Sequence, residues 1–374
     1  MIRSLAIRGR NFFNRVRWKL HPYNITNPCF PSASGKLTKP LLITCGKGFD
    51  QSKPTAGTLW PIGLARGWAD VCGPAKLVPD CDIIREIDKW DNPAVFMSIY
   101  NLLSLDDNQC RKLREVDLFV YIQMHPSRLK DFQKHSLLLQ SDINAVTDSY
   151  NRILLAQPKF FWNSAGTRSL HWTQEWINEG LKWEPLYFAA DPYRYYPEPN
   201  RENFGHIKMA YVGGYWPEKA LGFDQYLRPW EEILNLYGVD AWPYKHYQGR
   251  IDEVTERNIY STAGLIPLVT SPAGWDMGEL TERYFKTPAC KAFCISDHNP
   301  SVREAFNKDE LLMAESPEHF HELVREMLKG KIDTGHWREK TFNAVMAKHL
   351  YKHRALQILK ALEKSDGFLI NSAA

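Results

Sequence analysis

From about position 40 onward the chain alternates between two kinds of hydrophobic pattern. Short apolar runs that stop at a glycine or a polar residue read as buried strands. Longer stretches with apolar positions three and four apart read as helices. On this basis 40–46, 75–78, 94–103, 116–122 and 159–162 predict strands. Residues 59–69 and 142–156 predict helices. Asp106 and Asp107 open a polar helix, with acids where the helix dipole favours them. Strands alternating with helices predict a parallel sheet covered on both faces, which binds ligands beyond the carboxyl ends of its strands.

The alternation breaks over 184–206. There Pro185, Pro192, Pro197 and Pro199 stand among tyrosines and polar residues, a composition suited to a linker. It resumes with strands expected at 207–212, 239–242, 263–270 and 292–296. Helices are expected at 223–236, from 280 to 286, around 300–306 and at 317–329, with a long helix or kinked pair at 337–362. The expected organisation is a basic segment 1–38, a first Rossmann-like domain 39–184 and a linker 185–206. A second Rossmann-like domain 207–345 and a C-terminal helix and tail 346–374 complete it.

Composition fits this picture. A length of 374 residues suits two domains, and 44% hydrophobic with 24% charged residues is ordinary for a globular chain. The 13 Trp and 17 Tyr suit a cleft for sugars or bases, or equally an aromatic core. A net charge of +4 is too mild to call for nucleic acid, which is not expected as a partner. Charge is nonetheless uneven: positions 1–49 hold no Asp or Glu. Ile2, Leu5, Phe12, Phe13, Val16 and Leu20 follow helical spacing, with arginines mostly off that stripe. Such a helix can lie on an anionic membrane surface, so residues 1–20 are a candidate membrane contact; a packed helix or a basic tail is the competing reading. No stretch approaches the ~18 apolar residues of a membrane span. Seven Cys without a C-x-x-C pair suggest a reducing compartment, with Cys290 and Cys294 as core thiols. The expected location is cytoplasmic, at the inner membrane face if residues 1–20 make that contact.

Two segments carry chemistry. Tyr211-Val212-Gly213-Gly214 is a strand ending in two glycines, where backbone can approach a ligand. Lys219 stands close enough to add positive charge for a phosphate held there. In the second segment, Glu279, Glu282, Arg283 and Lys286 have helical spacing. They form either a solvated ion-pair face or a clamp in which Arg and Lys neutralise a diphosphate and Glu binds hydroxyls. Lys245 and Arg250 are weaker phosphate candidates. His125 follows a first-domain strand and is a candidate catalytic group. Gly46, Lys47, Gly48 and Asp50 form a plausible acceptor-side wall. Asp80-x-Asp82 reads as a chance match to a metal motif, and His349 with His353 as surface or packing residues.

Residues 207–362 resemble the C-terminal domain of group 1 glycosyltransferases, in the branch related to the spore-maturation protein CgeB. The resemblance rests on Tyr211-Val212-Gly213, Ile259-Tyr260-Ser261-Thr262-Ala263 and Thr281-Glu282-Arg283-Tyr284-Phe285-Lys286. It continues through Ala289-Cys290-Lys291, Ser296-Asp297, Ser316-Pro317-Glu318 and His349-Leu350-Tyr351-Lys352-His353-Arg354. It implies an α/β GT-B fold: two Rossmann-like domains with parallel sheets facing across a cleft, and a C-terminal helix crossing back. It implies metal-independent transfer from a nucleotide-sugar donor to a glycan, glycolipid or protein-linked acceptor, with no cofactor beyond the donor. Donor contacts would come from Gly213, Gly214, Lys219, Tyr260, Thr281, Glu282, Arg283 and Lys286, and catalytic groups from His125 and Glu279. Four positions depart from the family pattern: Thr281 replaces Asn, Lys286 replaces Glu, Lys291 replaces Gly, and Gly214 stands where the wider family has Arg. Lys286 cannot accept the ribose hydrogen bonds that the family's Glu accepts, so ribose recognition must differ, or Glu279 or Glu282 serves. The alternatives are a non-catalytic binding protein of the same fold, or another GT-B enzyme such as a sugar epimerase.

Overall fold

The computed structural model describes residues 29–30, 39–45, 56–122, 148, 151–198, 204–215, 217–239 and 241–365. Its N-terminal sheet has the order β1-β3-β2-β4-β5-β6-β7. The strands are β1 (Cys29–Phe30), β2 (Leu41–Cys45), β3 (Ala75–Pro79), β4 (Ala94–Ser98), β5 (Asp117–Tyr121), β6 (Phe160–Asn163) and β7 (Trp183–Pro185). All pair in parallel except β1, which lies antiparallel on β3 at the edge. The central strands β2, β4, β5 and β6 are mostly apolar and buried because both faces are covered. Ile43, Phe96, Phe119, Tyr121 and Trp162 point into one core, and Leu42, Val95, Val120 and Phe161 into the other.

The second sheet is built from β8 (Met209–Val212), β9 (Leu234–Tyr237), β10 (Ile266–Leu268), β11 (Cys294–Ser296) and β12 (Leu312–Met313). Every pairing within it is parallel. The Ala210 N–H donates to Leu265 O, which joins β8 to β10 and gives the order β9-β8-β10-β11-β12. Counting strands from β2 and from β8, both sheets follow the doubly wound order 2-1-3-4-5. Such sheets bind ligands where the order reverses, which in the second domain is between β8 and β10.

The first core does not stop at the domain boundary. It runs from the N-terminal sheet through Leu186, Phe188 and Tyr195 into Tyr260, Tyr284 and Phe285 of the second domain. The chain then crosses back. Helix Tyr351–Ser365 lies on helix Ala56–Val71 of the first domain. Gly63 and Gly67, one helical turn apart, allow this approach: a Cβ at Gly63 would run into the Tyr351 ring, and one at Gly67 into the Tyr351 backbone. The buried Arg354 secures the crossing. It donates to Tyr187 O, Phe188 O and Lys348 O and to His349 Nδ1, while His349 Nε2 bonds Ala305 O. His349 thus has a packing role, and its imidazole is pushed down to about 3 by burial and by Arg354.

Several expected elements are shifted. The helix expected at 223–236 is Pro217–Leu227, and the strand expected at 239–242 is β9, five residues earlier. Pro229, in the turn Arg228–Trp230, ends the helix, and Leu234 and Leu236 then alternate inward. The 94–103 strand stops at Ser98, whose side chain accepts from Asn101 N and caps the short helix Ile99–Leu103. Helix Glu253–Thr262, capped by Asp252, was not expected from the pattern. The 337–362 segment is a pair of helices, Thr334–Lys348 and Tyr351–Ser365. β7 adds a seventh strand where the linker was expected to begin.

Candidate active site

At the switch point β8 ends at Val212 and the chain turns through Gly213 and Gly214. Gly213 is held tightly. Its N–H donates to Tyr237 O, and its carbonyl accepts from Trp242 Nε1 at 2.9 Å. A Cβ there would lie 2.5 Å from an Arg283 guanidinium nitrogen. The residue therefore serves by its missing side chain rather than by its N–H. Arg283, at the start of helix Arg283–Ala289, reaches across to donate to Val212 O at 2.9 Å. Its guanidinium lies over the Tyr211 ring, 4.2 Å from the centroid. Arg283 Nε and the Tyr211 hydroxyl are buried without a hydrogen-bond partner among the described residues. Such orphaned groups at a switch point suit a ligand that is bound there in use.

Lys219 approaches the same bend from helix Pro217–Leu227. It is 5% exposed, and its Nζ donates to Gly214 O at 2.8 Å. It lies 5.1 Å from the centroid of the Tyr211 ring, 4.7 Å from that of Phe223 and 5.3 Å from that of Trp242. Burial, and then the Arg283 charge, push the ammonium down to about 6.

Asp297, just beyond β11, organises the neighbouring loops. It accepts from Thr270 N at 2.6 Å, Trp275 Nε1 at 2.7 Å and the Tyr284 hydroxyl at 2.8 Å. Burial raises its pKa against the pull of those bonds. The network joins the ends of β10 and β11 to the helix that carries Arg283, so Asp297 acts as a positioning residue.

Glu279 sits where the two domains meet. Leu280 N–H donates to Ser164 O and Gly166 N–H to Gly278 O, a backbone seam from β6 to the loop before Arg283. Across the same seam, Thr167 donates to Glu304 from both N–H and Oγ1, and the Tyr187 hydroxyl donates to it as well. Glu279 Oε1 accepts from Ser164 Oγ at 3.2 Å, and Ser164 Oγ is 3.2 Å from the Tyr121 hydroxyl. Burial raises the Glu279 carboxyl to about 6, within reach of a proton-transfer role near neutral pH.

Other expected donor contacts lie elsewhere. Lys286 turns away from the bend and donates to Glu256 Oε1 at 2.7 Å, so it belongs to a hinge cluster rather than to a phosphate clamp. Burial pushes the Glu256 carboxyl up, but Lys286 and Tyr260 together hold it below the usual range. The Tyr260 hydroxyl is committed to Glu256 at 2.8 Å. Glu282 and Lys286 line a small cavity with Asp191, Arg194, Tyr195 and Tyr351. Burial raises Glu282 to about 7, although Lys286 and the Tyr351 hydroxyl pull it down. Arg66 pairs with Asp191, and Arg194 with Glu253, so the cluster ties linker and helices of both domains together. Lys245 pairs with Glu232 at the surface, and Arg250 is exposed beside Gly249, whose carbonyl accepts from Gly238 N–H. Thr281 Oγ1 is buried without a hydrogen-bond partner among the described residues. His125, Gly46, Lys47, Gly48, Asp50 and residues 1–20 lie outside the described residues. Sequence reasoning did not single out the Tyr211 and Trp242 rings or the role of Asp297; the hints were the adjacency of Tyr211 to the diglycine, of Asp297 to a strand end, and the place of both in the motifs of the family resemblance.

Residues 206–360 match the family model described as glycosyl transferase-like. No curated protein matches the chain. Among solved structures, sucrose-phosphate synthase from Thermosynechococcus elongatus is similar with a TM-score of 0.56 at 10% identity, covering 88% of this chain and 99% of that one. Alr3699/HepE of Anabaena, solved in complex with UDP, gives 0.56 at 10% identity, over 87% of this chain and 100% of its own. The T4 phage protein BGT, solved with UDP and Mn2+, gives 0.54 at 10% identity over 88% and 100%. The fold is GT-B. Fold and family match together support a glycosyltransferase.

Proposed function

We propose that this protein transfers a sugar from a nucleoside diphosphate sugar to a hydroxyl of a glycan, glycolipid or protein-linked acceptor. The observation that carries the reading is the convergence of Arg283 and Lys219 on the Tyr211 ring beneath the Gly213-Gly214 bend. Transfer forms a bond from the acceptor oxygen to the sugar's anomeric carbon and breaks the bond to the diphosphate. Negative charge then grows on the leaving diphosphate, and preorganised cations at the bend stabilise it in a water-poor setting. The role a metal would play thereby falls to side chains, and the reading includes no metal. Glu279, at the seam between the domains, accepts the acceptor's proton. The neighbours solved with UDP support a uridine donor as the first choice. Contact of residues 1–20 with an anionic membrane, and membership of the CgeB-related branch, belong to the same reading.

A thermal-shift screen of UDP, GDP and ADP, with their sugars, tests it. A ligand at 100 times its Kd stabilises the folded protein by about 2.7 kcal/mol, a rise of several degrees. Turnover of a sugar whose nucleotide gives that rise supports transfer. Binding without hydrolysis or transfer of any donor would favour a non-catalytic binding protein. No shift with any nucleotide would defeat both readings.

A further inference from the structure

Residues 164–166, beyond β6 of the first domain, pair antiparallel with residues 278–280 of the second. Ala165 stands opposite Glu279, flanked by the bonds from Gly166 N–H to Gly278 O and from Leu280 N–H to Ser164 O. This pairing fixes the point from which the Glu279 side chain sets out. The Glu279 N–H donates to Gly274 O at 2.7 Å, and its carbonyl accepts from Asn299 Nδ2 at 2.8 Å. Ser164, 1% exposed, then donates to one carboxylate oxygen, Oε1, at 3.2 Å. Among the described residues the other oxygen, Oε2, makes no hydrogen bond. The direction of each bond follows from the protons available. An ionised carboxylate only accepts, so the single Ser164 hydroxyl proton goes to Oε1. The Ser164 oxygen is left to accept from the buried Tyr121 hydroxyl, 3.2 Å away. Burial keeps that phenol protonated.

We infer that Ser164 is the positioning residue for Glu279: its hydroxyl occupies Oε1, which leaves Oε2 to take the acceptor's proton, and Tyr121 orients the Ser164 hydroxyl. The inference rests on the proposed role of Glu279 in transfer and deepens it. The step balances. The acceptor O–H bond breaks, its proton joins Oε2, and its electron pair forms the bond to the anomeric carbon. The bond from that carbon to the diphosphate breaks, and its pair leaves with the diphosphate. The proton on Oε2 then passes to solvent. The terminal torsion of a glutamate is broad, so a carboxylate without the Ser164 bond turns and is aimed less often at the acceptor. Ser164 and Glu279 belong to different domains, so the base is aimed only while 164–166 and 278–280 stay paired. Catalytic competence thus depends on docking of the domains as well as on the donor.

Donor hydrolysis puts water in the acceptor's place and needs the same proton removal. Initial rates with UDP-glucose, UDP-galactose and GDP-mannose give kcat and KM, and calorimetry with UDP and GDP gives nucleotide affinity. Ser164→Ala should lower kcat about ten- to a hundredfold, the range for a hydrogen bond to a charged group, with KM and nucleotide affinity unchanged. Ser164→Thr keeps the donor and should retain most of the rate. In a Glu279→Gln background Ser164→Ala should change kcat by less than about twofold, because the two residues act as one unit. Tyr121→Phe removes one oxygen and should lower kcat by less than Ser164→Ala does. It keeps the test valid if the Ser164 variants misfold. An equal loss from Ser164→Ala with and without Glu279 would mean a purely structural role, and would overturn the inference while leaving the proposed function standing. A rise in KM with kcat unchanged would do the same. No hydrolysis of any probe by the unaltered protein would defeat the proposed role of Glu279, and the inference with it.

Discussion

The Arg283 guanidinium lies 4.2 Å from the centroid of the Tyr211 ring, and the Lys219 Nζ lies 5.1 Å from the same point. Two basic side chains from separate helices thus meet at one tyrosine beside a diglycine turn. Bringing them together costs electrostatic repulsion, and a bound diphosphate would relieve it. Arg283→Ala should therefore weaken UDP binding about ten- to a hundredfold, the range for a hydrogen bond to a charged group. Lys329→Ala, at an exposed position, should leave it unchanged. Calorimetry with both variants measures the difference.

Gly213→Ala makes the same point by geometry. Its Cβ would meet the Arg283 guanidinium at 2.5 Å and displace it. The expected result is weaker nucleotide binding with a Tm close to that of the unaltered protein, because Arg283 is the flexible partner. A large loss of Tm with unchanged nucleotide affinity would mean that the glycine serves packing alone.

Glu279→Gln should lower transfer sharply while keeping the bond from Ser164. Activity of the unaltered protein should rise with pH through about 6 as the carboxyl loses its proton, and the variant should lack that limb. Stability moves in the opposite sense. A carboxyl whose folded pKa is raised from 4.5 to about 6 favours folding below its unfolded pKa, and that contribution is lost as pH rises through 6. The amide carries no such penalty, so the variant should gain up to about 2 kcal/mol above pH 7. Denaturant unfolding at pH 5 and pH 8 checks the sign.

Lys286→Met separates the hinge cluster from the donor site. Without its ammonium the Glu256 carboxyl is left among buried neighbours, at a cost of about 3 kcal/mol or more. UDP affinity should change less than twofold. A selective loss of nucleotide binding would instead return Lys286 to the clamp.

Most of the architecture is legible in the sequence because parallel strands buried on two faces leave compact apolar runs, as at Leu41–Cys45 and Asp117–Tyr121. β9 is not, because Leu234–Tyr237 follows a helix of mixed polarity after only a short turn, and Pro229 is the one stop signal inside the expected helix. Gly213, Lys219 and Arg283 are legible as a phosphate-type constellation from residue type and spacing. Lys286 is not, since its partner Glu256 lies 30 positions away on a helix that was not expected from the pattern. Helical spacing put Arg283 and Lys286 in one group, whereas their side chains leave the helix in different directions, toward β8 and toward the hinge.

A structure of the protein with UDP tests the account most directly. The diphosphate is expected within hydrogen-bond distance of Arg283 and Lys219, above the Gly213-Gly214 turn and beyond the carboxyl end of β8. UDP bound at another place, with the Arg283 guanidinium still stacked on Tyr211 and donating to Val212 O, would contradict it.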